Sequence, residues 1–564
     1  MRYSELCEIY EELSLTSKRL EKVSILANFL KKLKSHGSSC WIYLLRGRVT
    51  PEYDMREFGI SNQLVFKILE KSFAIPIDVL KEEFNSVGDF GKIAETFSKK
   101  KKQYTLYSSH LTIERVFNNL LKILSVEGRG SVEKKISLVA ELLSCATPIE
   151  AKYIIRTVLS DLKIGVADST IREAIVEAFF PNEKELIEKI DELYYFTNDF
   201  SFVFEAAIKG KNALENIEVV PGKPITVMLA VKATSIEDAF RICGKPAAIE
   251  HKYDGFRVII SKKNKEIKLF TRRLEDVTLQ FPDIVERVNN YVSGESFILD
   301  SEAVGYDFKT KKYLPFQSIS QRIKRKYDIV KLSKEMPVEL NVFDILYYNG
   351  KSLVNLPFSE RRKIVEKIVK KIKLKIRPAV QIITDDEEEA EDFYKRALEI
   401  GEEGIIIKNL SAPYKPGRRV GYMAKLKPTS KEFDLVIVGA EYGTGKRGGL
   451  LTSYIVACRD EGTFLEVGKV SSGLKEKEDK GLISFLEMTE ILKPLIILEE
   501  KDKLRIKPKI VVTVSYQNIQ KSPNYTSGYA LRFPRIIALR EDKPLSEVNS
   551  LEDIEREYFS QFNR

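Results

Sequence analysis

The spacing of apolar and polar positions divides the chain into three textures. Over the first part, hydrophobic residues recur at helical intervals: between Leu111 and Leu124, the residues Ile113, Val116, Phe117, Leu120, Leu121 and Leu124 share one face. The same period runs through Ala140 to Leu162 and Ile171 to Phe179. Between two helices lies Gly128-Arg-Gly-Ser131, which reads as an interhelical turn or as backbone N–H groups able to meet a phosphate. The stretch Val220-Pro-Gly-Lys-Pro224 closes this helical region. After it, Ile249 to Ser261 is rich in β-branched and aromatic residues, and Ile267, Leu269 and Thr271 alternate with Lys268 and Phe270, as strands require. Helical segments at Phe281 to Val292 and Glu387 to Leu398 make this middle region mixed.

From about residue 429 the pattern becomes short strands: Leu435 to Ala440, Ser453 to Cys458, Phe464 to Val470 and Ile510 to Tyr516. Gly443-Thr-Gly-Lys-Arg-Gly-Gly449 separates two of them, and such a region fits a small β-barrel with helical additions. Ser550 and Asp553 open a last helix in a capping-box arrangement. The expected organisation is therefore an all-α region over 1–215, an α+β region over 216–428 and a β-barrel over 429–564.

Composition adds a partner class. Hydrophobic residues form 43% of the 564, enough for several cores, which excludes a disordered chain. Charged residues reach 31%, much of it interleaved Lys and Glu, a usage found in heat-adapted proteins. The net charge is +10, with basic runs at Lys99 to Lys102 and at Arg322, Lys324, Arg325 and Lys326, which points to a polyanionic partner. Five scattered cysteines without a Cys-x-x-Cys, and only three histidines, argue against a disulfide framework and a structural zinc site. The N-terminus has no signal-peptide pattern and no apolar run is long enough to span a bilayer, so a soluble intracellular protein with no membrane partner is expected.

The densest chemistry begins at Glu250-His-Lys-Tyr-Asp-Gly-Phe-Arg257, where a lysine ends an apolar strand and is followed by an acid, a glycine and an arginine. A lysine amine is nucleophilic only when neutral, a form that neighbouring cations and desolvation favour. Gly255 would let the backbone turn closely beside a phosphate. Alone, Lys-x-Asp-Gly is common. Here it is followed by Thr271-Arg-Arg-Leu-Glu-Asp276, Leu299-Asp-Ser-Glu302, Asn341-Val-Phe-Asp344, Glu403-Gly-Ile-Ile-Ile-Lys408 and Lys425-Leu-Lys427, most of them on apolar β-type runs. One reaction needs all of these: cations for phosphates, carboxylates for a hard divalent metal, and an aromatic for a base.

This ordered set resembles the covalent nucleotidyltransferase superfamily, which holds the ATP-dependent DNA ligases and the mRNA capping enzymes. Gln520-Lys-Ser-Pro-Asn-Tyr-Thr-Ser-Gly-Tyr-Ala-Leu-Arg-Phe-Pro-Arg535 and Arg540-Glu-Asp-Lys543 resemble the closing segment of the archaeal and eukaryotic DNA ligases, so the likeness covers nearly the whole chain. It implies a helical DNA-binding domain, an adenylation domain and an OB-fold domain that together encircle nicked duplex DNA through phosphate-directed, salt-sensitive contacts. It implies that Lys252 takes AMP from ATP, passes it to the 5′-phosphate at a nick, and loses it when the 3′-hydroxyl attacks. Glu250 is expected at the adenine edge and Phe343 against the adenine ring. Arg257, Arg272 and Glu302 match positions that hold ribose and phosphates, Arg419 and Lys425 match further nucleotide contacts, and Lys427 adds charge at the α-phosphate. Glu302 and Glu403 are the expected magnesium ligands, directly or through water, although each could instead pair with Lys425 or Lys427. Arg540, Asp542 and Lys543 would orient the pyrophosphate leaving group, or else form a structural salt bridge.

The resemblance also implies a monomer acting in replication, repair and recombination in the cytoplasm of an archaeal cell, associated with the nucleoid. Docking to a sliding clamp attaches to Gln103-Tyr-Thr-Leu106, though Ser109 and His110 stand where the usual motif has paired aromatics. An RNA ligase or capping guanylyltransferase is opposed by the long helical region and by the Arg540 to Lys543 ending. A DNA-encircling protein with a relic site is opposed by the filled reactive positions. The residues leave ADP, GTP or NAD open in place of ATP.

Overall fold

A computed structural model describes residues 1–36, 38–99, 110–215, 219–314, 319, 321–323, 325, 327–417, 421–428, 431–443, 447–475, 483–500, 503–540 and 542–561. It divides into two compact units: Met1–Asp392 with Ile405–Leu426, and Phe393–Gly404 with Lys427–Arg564. No described helix is long and apolar enough to cross a membrane.

The first unit begins with the expected helices, from Tyr3–Leu15 to Lys211–Glu215, around one core that includes Leu6, Tyr10, Leu30, Ile42, Leu120 and Ile154. Helix Ile113–Leu124 starts at Thr112, whose hydroxyl accepts from Arg115 N–H at 3.2 Å. It buries Ile113, Val116, Phe117, Leu120, Ile123 and Leu124, but Leu121, expected on that face, is 37% exposed. At 100° per residue, Leu121 lies about 100° from the stripe's axis and Ile123 only about 60°, so Ile123 takes the inner place.

Helices Phe90–Lys99 and Pro148–Val158 meet where Gly91 leaves room: a Cβ there would stand 2.8 Å from Arg156 Cγ and 2.9 Å from the Lys152 carbonyl. Arg156 Nη2 reaches Asp89 Oδ2 at 2.7 Å, Lys163 Nζ reaches the same oxygen at 3.2 Å, and Gly91 N–H donates to Asp89 Oδ1 at 2.8 Å. A carboxylate buried between two helices is thus fully partnered.

The rest of the unit is built on two sheets. One has five strands in the spatial order Val231–Lys232, Met423–Leu426, Ile405–Asn409, Ala247–His251, Gln381–Thr384. The other has six: Glu266–Thr271, Phe256–Lys263, Ser296–Gly305, Val338–Tyr348 and Lys351–Ser352 in order, with Ile376–Pro378 parallel to Val338–Tyr348. The apolar run Ile249 to Ser261 therefore serves both sheets, and the chain crosses between them at Lys252 to Gly255. One face of the six-stranded sheet packs Val258, Leu299, Leu340 and Val342 against Ile284 and Val288 of helix Pro282–Tyr291 and Val365 of helix Phe358–Ile368. The other face carries an apolar cluster, Ile259, Phe270 and Ile298 against Val227, Met228 and Tyr414, beside the polar side chains of Arg257, Asp300 and Glu302.

In the second unit, Lys431–Tyr442, Leu451–Asp460, Thr463–Val470 and Val511–Tyr516 contain the four strands anticipated there. They join a seven-stranded antiparallel sheet whose described pairings form an open path, not the closed ladder of a barrel. The edge strand Thr463–Val470 and the residues after it meet the far side through single bonds: Ser527 N–H to the Glu466 carbonyl at 3.1 Å and Ile536 N–H to the Ser472 carbonyl at 3.0 Å. Gly473 permits that approach, since a Cβ there would lie 1.9 Å from the Ile536 carbonyl oxygen. Helix Leu551–Ser560 starts at Ser550 with the expected capping box to Asp553.

The Asp89 site gives a pH prediction. Burial alone would raise its pKa, but Arg156, Lys163 and a backbone N–H together hold it at about 2. The unfolded carboxyl titrates near 4, so the stabilisation, of order 2 kcal/mol, is complete above about pH 4 and is lost as pH falls towards 2. Asp89→Asn should therefore lower the unfolding temperature at neutral pH and flatten its decline below about pH 4. Parallel declines in both proteins, measured by calorimetry, would show that Asp89 does not carry the linkage.

Candidate active site

Strand registry builds the site as two rows of side chains. In the five-stranded sheet, Lys425, Ile406, Glu250 and Gln381 stand opposite one another on consecutive strands and so share a face. In the six-stranded sheet the corresponding row is Arg257, Glu302, Asn341 and Arg377. The two faces oppose each other, because Lys408, two residues from Ile406, places its Nζ 4.5 Å from the centre of the Phe343 ring, two residues from Asn341. Lys252 lies where the chain passes from one sheet to the other, half-buried at the end of strand Ala247–His251.

Gly255 is needed at that crossover for a reason other than the one expected. A Cβ there would stand 2.3 Å from the Ala303 carbonyl oxygen and 3.0 Å from Glu302 Cγ. The missing side chain lets the start of strand Phe256–Lys263 lie against the neighbouring strand at Glu302 and Ala303.

Glu250 is buried and its carboxylate is shared by three donors: Lys408 Nζ at 2.6 Å, Gln381 Nε2 at 2.8 Å and Arg362 Nη1 at 3.3 Å. Arg257 forms a two-pronged pair with the fully buried Asp300, Nε to Oδ1 at 2.8 Å and Nη2 to Oδ2 at 2.5 Å, while Nη1 donates to the Met228 carbonyl at 2.8 Å. Burial opposes the charge of Arg257, but the Asp300 carboxylate outweighs it and keeps the guanidinium pKa above its ordinary value. Two of its five N–H groups are left for a ligand. Asp300 also accepts from Tyr414 Oη at 2.8 Å.

Phe343 is half-buried, with the guanidinium of Arg257 5.3 Å and the ammonium of Lys408 4.5 Å from its ring centre. Its neighbour Asp344 is committed to Arg361, at 2.8 and 3.0 Å, inside the core. Arg272 is exposed, in a turn closed by Thr271, whose N–H donates to the Glu275 carbonyl and whose own carbonyl accepts from Leu274 N–H, each at 2.9 Å. Arg419 and the segment Gln103 to Leu106 lie outside the described residues.

The remaining candidates fall in the second unit. Lys427 Nζ pairs with Glu403 at 2.7 Å, the alternative entertained for this carboxylate, and Gln517 Nε2 reaches Glu403 Oε1 at 3.4 Å. Arg540 binds both oxygens of Asp542 at 2.9 and 2.8 Å and reaches Asp434 at 3.3 Å, while Lys543 also pairs with Asp434. The Arg540 guanidinium holds the Asp542 carboxyl at about 2. Of the two expected magnesium ligands, Glu302 is half-buried opposite Arg257 in the sheet register, and Glu403 is paired with Lys427. No group of three His, Cys, Asp or Glu able to cage a metal occurs among the described residues.

Sequence reading missed the partners that hold these groups. Asp300 was within reach, since it precedes Glu302 by two on a strand and so shares its face. Lys408 ends the motif that begins at Glu403 but had no role assigned, while Arg362, Tyr414 and Asp434 come from distant segments and carry no local signal. Asn341 is fully buried opposite Glu302: its Oδ1 accepts from Arg377 Nε at 3.0 Å and its Nδ2 has no hydrogen-bond partner among the described residues.

Comparison with known proteins finds relatives over nearly the whole length of the chain. Residues 227–427 match the family model of the ATP dependent DNA ligase domain, residues 2–176 that of the DNA ligase N terminus, and residues 447–543 that of the ATP dependent DNA ligase C terminal region. The chain is 45% identical to a DNA ligase of Nanoarchaeum equitans, covering 99% of this chain and 98% of the relative. It is 41% identical to one of Thermococcus fumicolans, over 99% and 98%, and 39% identical to one of Methanocaldococcus jannaschii, over the full length of both. A solved structure named Pmar-Lig_PreS3 superposes with a TM-score of 0.57 at 18% identity, over 95% of this chain and 99% of that one, which shows a shared fold. By its matched segments and its full-length relatives, the chain belongs to the ATP-dependent DNA ligase family.

Proposed function

We propose that this protein seals nicks in duplex DNA by carrying AMP on Lys252, in the service of replication, repair and recombination. The observation that supports it best is the position of Lys252 at the sheet crossover, at one end of two facing charged rows. Glu250, held by its three donors, would accept from the adenine edge, and Phe343 would stack on the ring. Arg257, Arg272, Arg419 and Lys425 would bind ribose and phosphates, with Lys427 adding positive charge at the α-phosphate once released from Glu403. A hydrated magnesium ion held at Glu302 would neutralise phosphate charge.

The neutral Lys252 amine attacks the α-phosphorus of ATP, forming a P–N bond and losing a proton to water as the P–O bond to pyrophosphate breaks. Arg540, Asp542 and Lys543 act on that leaving group. The 5′-phosphate oxygen at the nick then attacks the same phosphorus, and the P–N bond breaks with return of a proton to the amine. Finally the 3′-hydroxyl, losing its proton, attacks the 5′-phosphate and expels AMP. Each displacement exchanges one bond to phosphorus for another and consumes no reductant or oxidant. The positive net charge suits a substrate grasped by its backbone, and binding should be strongly weakened by salt.

Incubation with magnesium and α-labelled ATP, without DNA, should add one AMP to the peptide that contains Lys252, and nicked DNA should discharge it. Lys252→Ala should take up no AMP and seal nothing while still binding nicked DNA. An AMP adduct on a different lysine in the wild-type protein would refute the assignment. Arg540→Ala should slow formation of the adduct about 100-fold yet seal a nick that already carries AMP at close to the wild-type rate. Equal losses in both reactions would mean that Arg540 does not act on pyrophosphate.

A further inference from the structure

The residues that hold Arg257 in place are themselves held by the helical region. Helix Leu186–Thr197 ends at Asn198, and around that end a series of contacts leads into the adenylation sheets. Arg172, buried, lies between the rings of Tyr194 and Tyr195 at 4.9 and 5.1 Å, anchored by Nε to Asp191 at 2.5 Å and by Nη2 to Tyr195 Oη at 3.3 Å. Tyr195 is thereby fixed as a platform. The backbone at Gly417 rests on its ring, since a Cβ there would stand 2.6 Å from Cδ1, and its φ of +68° further restricts the position to glycine. Two residues earlier, Lys415 Nζ pairs with Glu192 at 3.0 Å.

A second strand of contacts runs parallel to the first. Thr226 N–H donates to the Tyr195 carbonyl at 2.9 Å and its hydroxyl donates to Asn198 Oδ1 at 2.6 Å. Gly417 N–H donates to the Val227 carbonyl at 3.1 Å, joining the two strands. Both then reach the same guanidinium. Met228, two residues from Thr226, accepts from Arg257 Nη1 at 2.8 Å and donates to Tyr414 Oη at 3.1 Å. Tyr414, three residues from Gly417, donates to Asp300 at 2.8 Å, and Asp300 grips the other side of Arg257.

We infer that Glu192, Tyr195 and Thr226 are positioning residues for the nucleotide site, fixing Arg257 through Met228 and through Tyr414 and Asp300, so that adenylation of Lys252 depends on the helical region even before DNA is present. The inference rests on the reading of Arg257 as a nucleotide contact. All three residues fall between the segments matched by the family's N-terminal and middle models, 2–176 and 227–427. General packing of two regions requires apolar area and is indifferent to where polar bonds end. Here the bonds converge on the two short segments, 226–228 and 414–417, that supply the partners of one arginine. Hydrogen-bonded supports of this kind set the orientation of a binding group, and their loss weakens binding more than it slows the chemical step.

The test uses the full-length protein without DNA and follows enzyme–AMP formation over a range of ATP concentrations. Thr226→Val removes only the hydroxyl bond and Glu192→Gln only the charge facing Lys415. Each should raise half-saturating ATP about fivefold while the maximal rate stays within about twofold of wild type. Tyr195→Ala should have a larger effect, and Tyr195→Phe, which keeps the platform, should restore half-saturating ATP to near the wild-type level. If Tyr195→Ala fails to fold, Thr226→Val and Glu192→Gln decide, with unfolding temperature recorded for each. Arg257→Ala is measured alongside. If it raises half-saturating ATP while Thr226→Val and Glu192→Gln match wild type, the coupling is refuted and the site reading stands. If Arg257→Ala itself leaves half-saturating ATP unchanged, the site reading fails and the coupling falls with it.

Discussion

Asp300 is a carboxylate with no exposed surface, set between two sheets that must also leave room for a nucleotide. Taking such a charge out of water costs several kcal/mol, and only a well-formed pair with further hydrogen bonds recovers the cost. The protein meets this with Arg257 on one side and Tyr414 on the other. That solution fixes much else. Arg257 must lie opposite Glu302, so the strand that follows the crossover must start close to Ala303, which only Gly255 permits. The crossover in turn holds Lys252 at the end of both charged rows. Tyr414 must reach in from a loop, and that loop is steadied by Tyr195 and Glu192 of the helical region. One buried charge therefore links Lys252, the sheet register and the region before it.

Much of the fold was legible because periodicity reports burial. Helix Ile113–Leu124 and the strands of the second unit lie where apolar spacing put them, and Leu121 was misplaced only because it sits at the edge of the stripe. The run from Ile249 to Ser261 reads as one apolar texture, whereas its two halves belong to different sheets. Composition cannot distinguish them, because both are buried strands; the break is marked by the polar residues Lys252 and Asp254 and by Gly255. The small β-barrel expected of the C-terminal region is realised as an open sheet with barrel-like curvature, and the bonds at Ser472 and Glu466 that draw its edge to the far side were not legible, since they join segments far apart in the chain.

For the candidate site, the sequence displayed the groups that would touch a ligand but few of the groups that hold them. Lys252, Glu250, Arg257, Glu302 and Phe343 sit in short motifs, and the strands carrying them are neighbours in space. Their supports come from elsewhere: Arg362 from a helix, Gln381 and Lys408 from separate strands, Tyr414 from a loop. A support needs only reach and charge, so any Arg or Tyr of the chain is a candidate and none is singled out. Period-2 spacing is the exception, and it places Asp300 on the face of Glu302.

Ion pairs in the two units differ in a way that bears on mechanism. Arg361 with Asp344 and Arg257 with Asp300 are closed to water on at least one side, and removing a partner would strand a charge at a cost of about 3–5 kcal/mol. Such pairs do not readily trade partners, so Arg257 stays committed to Asp300 and Met228. Lys427 with Glu403, and Arg540 with Asp542, keep their cations about a third exposed. Solvent reaches these cations and screens their pairs, so they are held less firmly than the buried arginines. Lys427 and Arg540 can therefore exchange partners at smaller cost than Arg257 or Arg361. The cations expected to change partners are those the protein holds loosely, while the arginine that must keep its place is held by Asp300, Met228 and, behind them, the helical region.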